Sequence, residues 1–183
     1  MSDFWVFGYG SLMWRPGFAY REAVPALLAG AHRSLCVYSW VHRGTRQRPG
    51  LVLGLDRGGS CRGVAFSVDG GSREKVIAYL RERELVTLVY HEAWRPIRLL
   101  RPGSRTVRAL AYLVDRDSAQ YAGRLPREQL LARVTAGEGQ SGSNADYVIS
   151  TAGHLGALGI RDPILEWLAH ELGSCRWSGR QRQ

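Results

Sequence analysis

The sequence predicts an α+β protein: a small mixed, mostly antiparallel, barrel-like sheet with helices packed outside it. Three observations predict this. Through residue 114, short runs rich in aromatic and β-branched residues alternate with turns rich in Gly, Pro and Asp. One clear amphipathic helix interrupts that series at residues 72–84. Beyond residue 126 the pattern changes to three helical segments. Five to seven strands around one early helix favour a closed or nearly closed barrel, since closure protects the strand edges.

Phe4 to Phe7 is apolar and strand-like, and Gly8 ends it. Pro16 to Tyr20 reads as irregular, and Ala23 to Leu28, with Pro25 inside it, is too short to support a helix. Ala31 to Val41 is a strand, and His42 to Gly50 a polar loop with three arginines. Leu51 to Leu55 and Cys61 to Val68 are strands with a turn, a possible hairpin, at Asp56-Arg57-Gly58-Gly59. Ser72 can cap the helix that follows, where Ile77, Leu80 and Glu84 share one face at three- and four-residue spacing. Leu85 to Tyr90, Ile97 to Leu100 and Val107 to Val114 are further strand candidates. The late helices cover Pro126 to Ala136, Asn144 to Leu158 and Asp162 to Leu172, with Gly173 as a C-cap.

A chain of 183 residues, 45% of them hydrophobic, can bury a real core. We expect one domain over residues 1–173, followed by a basic polar tail at 174–183 that is a candidate for disorder. No apolar run approaches the roughly 18 residues of a membrane span, and Met1-Ser2-Asp3 offers no basic start for a signal peptide. Cys36, Cys61 and Cys175 form neither a disulfide framework nor a metal knuckle, which points to a reducing, cytoplasmic setting. Cys36 and Cys61 should be buried and Cys175 exposed. The five histidines show no zinc spacing. The net charge of +9 comes almost wholly from arginine. The arginines are scattered, without a basic run or a reading module, so nucleic acid is not the favoured partner. A field that attracts small anions explains the same charge, as does composition alone.

Two features carry possible chemistry. In Gly8-Tyr9-Gly10-Ser11, two glycines around a tyrosine allow a tight turn whose N–H groups can form an anion nest. A plain packed turn explains the same residues, which form neither a P-loop nor a dinucleotide or nucleophile-elbow motif. Glu84 ends an apolar helix face, where a carboxylate needs a reason to be; fraying of the helix or pairing with Arg83 would also account for it.

Taken together, five stretches resemble the ChaC-like branch of the gamma-glutamylcyclotransferase superfamily. They are Phe7-Gly8-Tyr9-Gly10-Ser11-Leu12, His42-Arg43-Gly44, Arg48-Pro49-Gly50-Leu51-Val52, Tyr79-Leu80-Arg81-Glu82-Arg83-Glu84 and Ser141-Gly142-Ser143-Asn144-Ala145-Asp146-Tyr147. They occur in family order over roughly residues 4 to 170. The resemblance implies a gamma-glutamylcyclotransferase-like fold and a lyase that converts glutathione into 5-oxoproline and cysteinylglycine without metal or organic cofactor. It implies Glu84 as general base and acid, and Phe7, Gly8, Tyr9, Gly10, Ser11 and Leu12 as the substrate cradle. It also implies Tyr147 as a pocket hydrogen-bonder, with Arg43 and Arg48 as candidate carboxylate forks that could equally be structural. One departure stands out. Leu88 occupies a position where many bacterial relatives are expected to have glycine, and it bears on the choice of released amine. Other γ-glutamyl amines therefore remain an alternative substrate class, and a non-catalytic arginine-rich binding domain an alternative of a different kind. The oligomeric state is not readable from the sequence.

Overall fold

The computed structural model describes residues 2–85 and 88–180, with side chains through residue 174. Five strands form a closed barrel in the order β1-β3-β2-β4-β5: β1 Phe4–Gly8, β2 Glu22–Ser39, β3 Gly50–Val68, β4 Tyr90–Leu99 and β5 Thr106–Val114. β1 runs antiparallel to β3 and parallel to β5, while β4 is antiparallel to both β2 and β5. The sheet is therefore mixed and mostly antiparallel, as the sequence predicts. By internal contacts the chain divides into two units. One is Met1–Ser34 with Leu53–Tyr121, the other Leu35–Val52 with Ala122–Gln183.

In the first unit, Val6, Phe7, Phe66, Leu80, Ile97 and Leu110 are almost completely buried. The segment from Ala23 that contains Pro25 is the start of β2, because register decides what so short a run cannot: Ala26 pairs with Leu99 and Leu28 with Ile97. Nor does Asp56 to Gly59 reverse the chain. β3 runs straight through it, and Gly58 and Gly59 absorb the bend at φ 93° and 69°. Gly30 does the same for β2 at φ 84°. Glycines that can signal a hairpin here mark kinks within long strands.

The helix α1, Arg73–Glu84, buries Val76 and Leu80. Ser72 makes no side-chain cap; Asp69 Oδ1 instead accepts from Gly71 N at 2.8 Å in the short 3₁₀ turn ahead of the helix. Of the strand expected over Leu85 to Tyr90, Val86 and Thr87 lie outside the described residues. Leu85 closes α1, Val89 is buried, and the strand starts at Tyr90.

The second unit holds α2 Arg127–Ala136, α3 Asn144–Ala157 and α4 Pro163–Arg180, packed against one another, and a two-strand hairpin of β6 Glu138–Gly139 and β7 Gly142–Ser143. α4 does not cap at Gly173 but continues to Arg180. The side chain of Cys175 lies outside the described residues, whereas Cys36 and Cys61 are buried thiols not joined in a disulfide.

Many arginines are taken up locally. Arg21 pairs with Asp69, Arg101 with Glu22, Arg116 with Asp56 and Arg161 with Glu166. Arg73 stacks on Trp94, Arg127 on Trp167 and Arg133 on Tyr38. None of the described helices is long and apolar enough to cross a membrane.

Candidate active site

Glu84 is the last residue of α1, one turn beyond the fully buried Leu80. The packing that buries Leu80 also shields the carboxylate, whose side chain keeps 18% of its exposure. Burial pushes its pKa up, and the Arg83 guanidinium, with Nε 3.3 Å from Oε1, pulls it back only in part. A carboxyl raised in this way can hold and release a proton closer to neutrality than a solvated one.

The glycine loop is joined to this helix end. β1 stops at Gly8, and Ser11–Met13 forms a single 3₁₀ turn closed by Met13 N donating to Gly10 O at 2.9 Å. A Cβ on Gly8 would lie 3.2 Å from Leu12 Cβ and 3.3 Å from Met13 N, so glycine permits the close return of the chain. Arg33 Nε donates to Tyr9 O at 2.6 Å and holds the loop from below. The bonds of the turn begin with the N–H of Met13, so those of Gly10, Ser11 and Leu12 are not spent within it. Phe7, Tyr9 and Leu12 are buried supports, and Ser11 is exposed.

Arg83 makes the connection. Its Nη2 donates to Ser11 Oγ at 2.9 Å, and its Nη1 to Arg15 O at 2.6 Å and Tyr79 Oη at 3.0 Å. Tyr79 in turn lies against Gly17, at φ 75°, where a side chain would collide with the ring. One guanidinium thus touches the carboxylate, the loop and the helix. The sequence does contain a signal for it, an arginine directly before the candidate base, but there it reads only as an ion-pair partner.

Leu88 has φ 54°, and it is the one non-glycine residue with positive φ among those described. It is also 75% exposed, so no packing compensates. The positive φ is a backbone conformation that glycine adopts without strain. Leu88→Gly should raise stability by about 1 kcal/mol, read as a higher urea midpoint with an unchanged slope. An unchanged or lower midpoint would show that Leu88 is not strained.

The remaining candidates lie in the second unit. Arg43 donates from Nη1 to the carbonyls of Ser141 and Ser143, and its guanidinium sits 5.3 Å from the centre of the Tyr147 ring. These contacts favour the structural alternative for Arg43. Arg48 is exposed, and its N–H donates to Thr45 Oγ1 at 3.1 Å. Asn144 of the late motif is fully buried. It accepts from Leu51 N at 2.6 Å and donates to Leu51 O at 2.7 Å, pairing with that residue as a neighbouring strand would. Sequence reading leaves it without a role. Asn144→Ala should cost about 3 kcal/mol, because two buried backbone groups lose their partner; chemical denaturation measures this, and a cost below 1 kcal/mol would refute it. Among the described residues, no group of three or more His, Cys, Asp or Glu is placed to hold a metal ion.

The family model described as ChaC-like protein matches residues 4–174. The chain belongs to the ChaC-like family. Within it, the chain is 34% identical over 158 residues to the glutathione-specific gamma-glutamylcyclotransferase of Escherichia coli, covering 86% of this chain and 68% of that protein. It is 34% identical over 150 residues to the human glutathione-specific gamma-glutamylcyclotransferase 1, covering 81% and 68%. A crystal structure of a gamma-glutamyl cyclotransferase specific to glutathione from yeast superposes with a TM-score of 0.83 over 95% of this chain and 97% of that one. At 21% identity, that likeness speaks for the fold. In this ChaC-like chain the glycine loop and Glu84 fall in one unit and are joined by Arg83, while Arg43, Arg48 and Tyr147 fall in the other.

Proposed function

We propose that the protein binds glutathione and closes its γ-glutamyl group into 5-oxoproline, releasing cysteinylglycine. The observation that carries the reading is one shielded carboxylate of raised pKa, Glu84, tied through Arg83 to a loop whose first amides are not spent within its own turn. In the proposed reaction Glu84 takes a proton from the substrate's α-ammonium. The freed nitrogen attacks the γ-carbonyl carbon, the new C–N bond forms, and the bond to the cysteine nitrogen breaks as Glu84 returns the proton to it; the second proton shed by the attacking nitrogen also ends on the released amine. No water is consumed. The reaction is intramolecular, so holding the substrate bent supplies much of the rate. The amides of Gly10, Ser11 and Leu12 are suited to the oxygens of the γ-glutamyl group.

Tyr147 and Arg48 retain substrate-binding roles in this proposal on the strength of the family resemblance, and Arg43 orders its own loop. A cytoplasmic setting accords with the reduced thiols of Cys36 and Cys61. Leu88, exposed four residues past the base, keeps other γ-glutamyl amines as the second reading.

The test is incubation of the purified protein with glutathione in the presence of a chelator, following both products. Equimolar 5-oxoproline and cysteinylglycine are expected. Cysteinylglycine accompanied by free glutamate would mean hydrolysis and would overturn the cyclisation. Turnover of other γ-glutamyl amines without turnover of glutathione would replace the substrate and leave the reaction class standing.

A further inference from the structure

Tyr112 is the largest of the fully buried side chains among the described residues, 1% exposed, near the end of β5. Its hydroxyl is the one buried side-chain polar atom among the described residues that finds no hydrogen-bond partner. Such an atom costs the fold stability, and a use in function is a reason to keep it. Its position bears on that use. Tyr112 pairs across the sheet with Glu92 of β4, and the Glu92 carboxylate takes Arg81 Nε at 2.7 Å and 3.2 Å. Arg81 lies three residues before Glu84 on α1, which puts the two on neighbouring positions of the helix surface. The orphan hydroxyl thus lies beside the helix end that carries the proposed base.

We propose that the Tyr112 hydroxyl is a second catalytic group of the cyclisation, donating a hydrogen bond to the γ-carbonyl oxygen of the substrate as that oxygen gains negative charge. The inference rests on the function proposed above. As the ring closes, the α-nitrogen that Glu84 deprotonates bonds to the γ-carbon, so the γ-carbonyl oxygen is drawn up beside the base. A donor next to the base is a donor next to that oxygen. The phenol suits the task. The charged groups that act on it are Glu92 from β4 and Glu84 and Arg81 from α1. Burial raises its pKa far above the ordinary value, the two carboxylates add to the rise, and Arg81 opposes it. The hydroxyl therefore keeps its proton across the working range and acts only as a donor. No bond to it is made or broken: Glu84 carries the proton and Tyr112 meets the charge.

Tyr112→Phe tests this with two readouts that a structural hydroxyl would not move together. Removing an unpartnered buried hydroxyl while keeping the ring should raise the melting temperature by about 2–4 °C. The same change should lower kcat with glutathione about 10²-fold and leave KM near its wild-type value. A variant that melts higher and turns over like wild type would overturn the proposal, since the hydroxyl would be merely orphaned. A lower melting temperature would overturn it too, by showing that the hydroxyl has a partner in the resting fold. A rise in KM alone would assign the bond to substrate binding and refute the role in the transition state. Wild type run in parallel keeps the two levels apart. If wild type forms no 5-oxoproline, the cyclisation reading fails and takes Tyr112 with it; if wild type is active and the variant equals it, Tyr112 alone is wrong.

Discussion

Glu84→Gln should fold, melt higher than wild type near neutral pH, and lose turnover by about 10²–10⁴-fold. The loss follows because a carboxamide cannot take the α-ammonium proton, while loop and core are untouched. The gain follows from the same burial that makes the carboxyl useful. Folding raises its pKa, so the folded protein holds the proton to higher pH than the unfolded chain does. The site's contribution to stability is therefore greatest in acid and falls as pH climbs from the unfolded to the folded value. At neutral pH the fold carries a desolvated charge, and glutamine removes it. In wild type, the acid limb of kcat/KM should lie above the ordinary carboxylate range. Thermal melts at pH 4 and pH 7 beside a product assay provide the measurement. A stable Glu84→Gln protein with wild-type turnover would mean that another group is the base. A variant destabilised at neutral pH would mean that the pairing with Arg83 outweighs the cost of burying the charge.

The sequence made the strands legible wherever side-chain chemistry alone decides them, as in β1 and β5, and made α1 legible through its spacing. It failed where long-range register decides. Ala26 and Leu28 are strand residues because Leu99 and Ile97 lie opposite, and nothing within Ala23 to Leu28 announces those partners. It failed also at Gly58 and Gly59, since a glycine pair signals positive φ but not whether the strand reverses or bends through. In the candidate site, spacing and family pattern pointed to the glycine loop and Glu84, but not to the Arg83 contact that joins them. Asn144 was not readable, because pairing with Leu51 joins positions 93 residues apart. Tyr112 was not readable either. In the sequence it is one more apolar residue of a β-run, and the lack of a partner for its hydroxyl is a property of the packed structure alone.

Replacement of Arg83 should separate its two jobs. In Arg83→Gln the loop loses the donors to Ser11 Oγ and Arg15 O, and the base loses its cation. Loosening the cradle by even about 1 Å can cost around 10²-fold in rate, and a fall in kcat/KM of that order is expected. The charge effect has its own direction. Arg83 draws the Glu84 pKa down against burial, so its removal lets the pKa rise further and moves the acid limb of kcat/KM to higher pH. Arg83→Lys keeps a cation beside the carboxylate but cannot fork to three acceptors. It should show much of the rate loss with little movement of the limb. Rate–pH profiles of wild type and the two variants, with melting curves to confirm folding, decide the matter. An unmoved limb in folded Arg83→Gln would show that the guanidinium does not tune the base. A lysine variant as fast as wild type would show that one charge suffices and that the fork to the loop is incidental.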